Sequence, residues 1–127
     1  MWLLRASSRG VVAAVALGAL QAGAAGDAPA SAGQAIYDRD CAHCHGATGK
    51  GDGEESAYLT PSPQDLTTGV LEKRNDEFLE TVIAKGGAAK GLSASMPPSP
   101  KLSKEDLKNV VAYIRQLGKG SAGQKGK

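Results

Sequence analysis

The sequence predicts an all-α fold of about three main helices, and three observations carry that reading. Apolar residues recur at spacings of three and four in separate stretches, and a side chain able to cap a helix opens each one. No run alternates apolar and polar residues as a half-buried strand would, and no internal repeat is present.

The first helix opens at Ser31, with Gln34 three residues on completing a capping box, and runs over about residues 32–41 with Ile36, Tyr37 and Ala35 inward. Residues 46–53 then read Gly-Ala-Thr-Gly-Lys-Gly-Asp-Gly, a loop whose glycines suit close backbone approach. A phosphate-binding reading of this loop fails, because the position six before Lys50 is Cys44 and the one after it is Gly51. Pro61 and Pro63 keep the next segment extended. Asn75 caps a second helix over Asp76–Lys85, which has Phe78, Leu79, Val82 and Ile83 on one face and Gly86 at its end. Residues 87–100 form a loop containing Met96-Pro97-Pro98. Ser103 caps the last helix, with Asp106 at the box position, a stripe of Leu107, Val110, Val111, Ile114 and Leu117, and Gly118 as the stop.

The ends of the chain read differently. Arg5 and Arg9 precede an apolar stretch over residues 11–20, and Ala22-Gly23-Ala24 offers a cleavage site, so residues 1–24 are expected to be a cleaved secretory signal peptide. The apolar run is about ten residues, short of the roughly twenty that span a bilayer, so no stable membrane insertion is expected after cleavage. Residues 25–30 are expected to be a linker, 31–118 the folded domain and 119–127 a flexible tail. Cleavage after Ala24 removes two basic residues and leaves 13 basic against 13 acidic side chains. With no net positive charge and no basic stripe interleaved with aromatics, nucleic-acid binding is excluded.

Chemistry concentrates at Cys41-Ala42-His43-Cys44-His45, a C-x-x-C-H arrangement. Two thiols about one helical turn apart can each add to one vinyl group of a haem, and the following imidazole can reach the iron from the same side. The rival readings are weaker. A thioredoxin-type pair needs a strand-helix-strand setting that is absent, and zinc would need four ligands inside five residues. A plain disulfide explains neither His45 nor Met96. The aliphatic content agrees with a buried haem. Leu, Ile, Val and Phe number sixteen in the 103 residues after Ala24, few for a core, and a large apolar disc would supply the missing interior.

An iron with six ligands needs a second axial donor. Met96 is the only Met beyond the signal, 51 positions after His45, in a loop stiffened by proline. His43 lies inside the attachment pentapeptide, and exposed lysines stay protonated at neutral pH.

These residues, with the Gly33-x-x-x-Tyr37 helix and a final helix containing Tyr113, make the chain resemble a class I monohaem c-type cytochrome of the short bacterial type over about residues 31–117. The resemblance implies a cytochrome c fold in which about three main helices wrap one covalently bound haem c. Cys41 and Cys44 would then be the attachment points and His45 and Met96 the axial iron ligands. It further implies a crossing of the first and last helices near Gly33 and Tyr113, and a loop carbonyl orienting His45, supplied by Pro61 or Pro63. The expected function is single-electron transfer as a soluble periplasmic carrier, with no catalytic residues and redox proteins as partners. The alternative is a haem c subunit of a dehydrogenase or oxidase complex. A peroxidatic or ligand-binding haem protein with a labile Met is the third reading. Between residues 81 and 104 there are four lysines and no acid, while Asp52, Glu54 and Glu55 cluster after the haem motif, so the surface is expected to be dipolar.

Overall fold

The computed structural model describes residues 28–122, together with Gly10 and Gly18. The rest of the expected signal peptide, residues 25–27 and residues 123–127 of the expected tail lie outside the described residues. Among the described residues four α-helices follow in order, α1 (Ala28–Asp40), α2 (Ala42–His45), α3 (Asp76–Lys85) and α4 (Lys104–Ala122). Three 3-10 turns lie between them, at Ser56–Tyr58, Val70–Lys73 and Gly87–Lys90, and there is no strand among the described residues.

The caps act as the side-chain chemistry dictates. Asn75 accepts the Phe78 N–H at 2.9 Å to open α3. Ser103 and Asp106 form a reciprocal box at the start of α4, with the Ser103 N–H and hydroxyl donating to the Asp106 carboxylate and Asp106 N–H donating to Ser103 Oγ at 3.1 Å. Those bonds to Ser103 hold the Asp106 carboxyl below its usual pKa.

Four expectations are corrected. Residues 28–30 are helix and not linker: Pro29 sits in the first described turn, where its missing N–H costs little, and Ala30 is buried. Ser31 is therefore an exposed residue inside α1 and does not cap it. Ala35 faces solvent, because the inward row of α1 is Ala30, Gly33, Ile36 and Tyr37. Gly118 does not stop α4, which continues to Ala122. A Cβ at Gly118 would lie 3.3 Å from the Leu66 carbonyl oxygen, so this glycine lets α4 approach a neighbouring segment.

Helices α1 and α4 cross where Gly33 meets the Asn109 carbonyl and the Tyr113 side chain. Beside the crossing, Tyr37 and Tyr113 pack with ring centroids 5.3 Å apart at 58°. The Tyr37 hydroxyl donates to the Gly46 carbonyl at 2.7 Å and so ties the crossing to the loop after the C-x-x-C-H motif. Tyr37, Val110 and Val111 are fully buried, and Ile36, Leu66, Leu71, Leu79, Ile83, Leu107 and Ile114 complete one core. Gly33→Ala should lower stability by about 2 kcal/mol in a denaturant titration. The gain in helix propensity is about 1 kcal/mol, but the new methyl meets backbone that a side-chain rotation cannot move.

Arg115 joins α4 to the wall that precedes α3. Its guanidinium donates to Asp76 at 2.6 Å, to the Leu71 carbonyl at 3.0 Å and to the Arg74 carbonyl at 2.8 Å. Leu71 O also accepts the Arg74 N–H at 3.2 Å, so the fork adds a second bond to that carbonyl and one to the Arg74 carbonyl just past the Val70–Lys73 turn.

Candidate functional site

The C-x-x-C-H residues begin where α1 ends. Cys41 N–H still bonds to Tyr37 O at 2.8 Å, and Cys44 and His45 N–H both return to Cys41 O, at 3.2 and 2.9 Å. The two cysteines therefore stand one helical turn apart as free thiols. Helix α2 is only four residues long, and the next loop holds its carbonyls. Gly51, Gly53 and Glu55 N–H donate to His45, Cys44 and His43 O at 2.7, 3.1 and 2.9 Å. Any side chain at Gly51 would meet the Pro63 carbonyl, and one at Gly53 would meet the His43 carbonyl. A loop of this composition, packed beside a haem motif, could have wrapped the edge of the group. It instead clamps the back of the motif and takes no part in lining the adjoining cavity.

That cavity is about 420 Å³ and mainly apolar. Cys41, Cys44 and His45 form part of its wall, Leu79, Val82 and Ile83 of α3 another part, and Met96 and Pro97 a third. All four residues expected at the site, Cys41, Cys44, His45 and Met96, thus border one space. His43 borders it too, and also faces a polar depression with Asp38, Asp52 and Glu54.

His45 Nδ1 lies 3.0 Å from the Gln64 carbonyl oxygen, so the neutral ring donates there and carries its lone pair on Nε2. Burial lowers the His45 pKa, against the opposing bond to Gln64 and with a smaller contribution from nearby His43, which favours this neutral ligand form. The orienting carbonyl belongs to Gln64 and not to Pro61 or Pro63. Both prolines line the cavity, but neither presents its carbonyl to the ring.

Met96 is held by backbone rather than by packing alone. Its carbonyl accepts from Gly87 at 3.1 Å, its N–H donates to Ser93 O at 3.3 Å, and Ser99 N–H bonds to Ile83 O at 2.9 Å. A Cβ at Gly86 would lie 3.0 Å from Met96 O, so the Met loop is laid directly across the end of α3.

The thiols differ from a redox pair. Burial, with the neighbouring Asp40 charge, pushes the Cys41 pKa up to about 12, and burial with Glu55 raises that of Cys44. Reactive C-x-x-C pairs have depressed values. Among the described residues one trio, His43, Cys44 and Glu55, brings ligand atoms within 4.8 Å of one another. Only three groups meet there, and one is the Cys44 thiol, the group that covalent haem attachment would use. Haem fits the cavity better. Its apolar wall suits a porphyrin, two thiols on that wall suit thioether attachment, and an imidazole with a free Nε2 and a soft thioether suit iron.

Sequence reasoning missed the Gln64 carbonyl, the clamp on α2 and Arg74 on the cavity wall. Only the clamp left a signal, glycines at 51 and 53 two positions apart.

Comparison with known proteins agrees with this geometry. The family described as Cytochrome c matches residues 30–118. Cytochrome c-554(547) of Halothiobacillus neapolitanus is 40% identical over 96 residues, 73% of this chain and 99% of that protein. Cytochrome c oxidase subunit 2 of Alkalihalophilus pseudofirmus is 32% identical over 84 residues, 66% of this chain and 24% of that one. The cbb3-type cytochrome c oxidase subunit CcoP of Rhodobacter capsulatus is 31% identical over 100 residues, 76% of this chain and 32% of that one. The chain thus spans about a quarter to a third of these two oxidase subunits.

Proposed function

Because this chain belongs to the cytochrome c family, which binds haem c covalently and transfers electrons, we propose that it is a soluble periplasmic carrier of single electrons with His45 and Met96 on the iron. When bound, the haem supplies a one-electron ferric/ferrous couple. Cys41 and Cys44 would hold it covalently, each thiol forming one thioether. Gln64 holds the His45 ring in its ligand tautomer, and the bonded Met loop presents a neutral thioether. Met/His ligation raises the reduction potential, and two protein ligands leave substrate no open position. The observation that carries this reading is a single cavity bordered by His45, with Nδ1 already committed, and by Met96. An absorption spectrum with a redox titration tests it. A sulfur-to-iron band in the far red of the oxidised protein is expected, and its absence would remove Met96 from the iron.

Export is proposed from the basic and apolar pattern of residues 1–24, and no helix among the described residues is long and apolar enough to cross a membrane. A second reading, a haem c subunit of an oxidase, draws on the similarity to oxidase subunits. The near-complete coverage of cytochrome c-554(547) favours the free carrier. Purification from the native membrane fraction separates the two, since a subunit would stay with its complex.

Docking is expected to be steered by charge. Lys85, Lys90, Lys101 and Lys104 are exposed around the Met loop, and Asp52, Glu54 and Glu55 are exposed on the loop behind the haem motif. Reversing Lys90 and Lys101 to Glu should lower the second-order rate with an acidic partner about tenfold at low salt, leaving the potential unchanged. A rate indifferent to salt and to charge reversal would assign docking to apolar contact instead.

A further inference from the structure

The carbonyl that orients His45 belongs to the backbone of Gln64, so no substitution at position 64 can remove it. Its direction is decided by whatever holds the peptide between Gln64 and Asp65. On one side Pro63 fixes its own φ, and its carbonyl packs against the Cα of Gly51. On the other side Asp65 closes a turn. Its Oδ1 accepts the Thr67 N–H at 2.8 Å and the Thr67 hydroxyl at 2.6 Å, both part-buried. The Asp65 carbonyl accepts the Thr68 hydroxyl at 3.1 Å, and the N–H of buried Leu66 donates to the Gly49 carbonyl at 2.7 Å. Gln64 itself is exposed, and its side-chain amide reaches the Asp65 carbonyl only at 3.4 Å.

A carbonyl between two fixed stretches of chain can turn only if Gln64 ψ and Asp65 φ rotate together. A short polar side chain bonded to the backbone two residues on stands in for a backbone turn and resists that rotation. We infer that Asp65, through its bonds to Thr67, is a positioning residue for the iron ligand: it keeps the Gln64 carbonyl aimed at His45 Nδ1 and so sets how strongly the imidazole donates to iron. This role rests on the reading of His45 as an iron ligand, and Asp65 itself is not on the cavity wall. The sign follows from the bond. An imidazole whose Nδ1–H is held by a carbonyl is the more basic donor, and a stronger donor stabilises ferric iron. Loosening the bond therefore raises the reduction potential.

The full-length holoprotein should be compared as wild type and as Asp65→Ala by two readouts, solvent exchange of the His45 Nδ1–H followed by NMR and a redox titration. In Asp65→Ala that proton should exchange about tenfold faster. At a fixed solution potential the ratio of ferrous to ferric protein should rise about threefold, equivalent to about 30 mV at about 59 mV per tenfold ratio. Asp65→Asn, whose side-chain oxygen can accept the same two bonds, should match wild type in both readouts. Thr67→Val, which keeps the N–H and loses the hydroxyl, should fall between them. Ser103→Ala removes a cap at the start of α4, so it should lower stability and move neither readout. An Asp65→Ala variant that loses stability but keeps wild-type exchange and potential would overturn the inference, because the turn would then be structural only. So would Asp65→Asn behaving as Asp65→Ala, because charge and not bonding would then be the cause. A ring on ferric iron gives its Nδ1–H a paramagnetic shift. Absence of that shift in wild type would remove His45 from the iron and the inference with it, whereas a shifted proton indifferent to Asp65→Ala would refute the inference alone.

Discussion

Replacing Cys41 and Cys44 together by alanine is expected to abolish covalent haem entirely. The thiols stand one turn apart on the wall of one cavity, and each supplies one S–H bond for one vinyl group. No other cysteine exists in the chain to substitute for either. The loss should reach the fold as well as the chemistry. An unfilled space of about 420 Å³, at about 24 cal/mol per Å³, corresponds to on the order of 10 kcal/mol, comparable to the whole stability of a small domain. The double variant, expressed with haem-maturation machinery, should therefore yield weakly helical chain whose pigment leaves in acid extraction. Haem that survives extraction would refute the attachment.

Removing the distal donor should have the next largest effect. Met96→Ala is expected to open one coordination position, so the reduced protein should bind carbon monoxide readily and its potential should fall. The physical cause is electronic, since a thioether is soft and neutral and favours ferrous iron. The backbone bonds that hold residues 93–99 against α3 do not use the Met96 side chain, so the loop should survive the change. His45→Ala should be more severe, because it takes away the imidazole oriented by Gln64 and is expected to prevent stable maturation. If Met96→Ala leaves spectrum and potential as they were, the sixth ligand comes from another residue.

The sequence was most legible where chemistry is local. C-x-x-C-H, the Asn75 and Ser103 caps and the apolar rows of α3 and α4 lie within a few residues of chain, and each appears in the structure. Legibility failed where a residue serves a distant neighbour. Ser31 and Gly118 carry end-of-helix chemistry, yet α1 is already helical at Ala28 and α4 runs to Ala122. Tertiary packing outweighs the few tenths to one kcal/mol that such local signals command.

What the sequence alone determined is the reactive set and its class. Two thiols, an imidazole and one downstream thioether stand in an all-α chain too poor in aliphatic residues to fill its own interior. Only the tertiary structure decided how they are held. It assigned the orienting carbonyl to Gln64 instead of a proline, turned the glycine loop into a clamp behind α2, and brought Arg74 to the cavity wall. The reason is the range of the forces involved. Covalent reactivity and helix capping depend on residue type and short spacing. A backbone carbonyl is the same group at every position and gains a role only when the folded chain aims it.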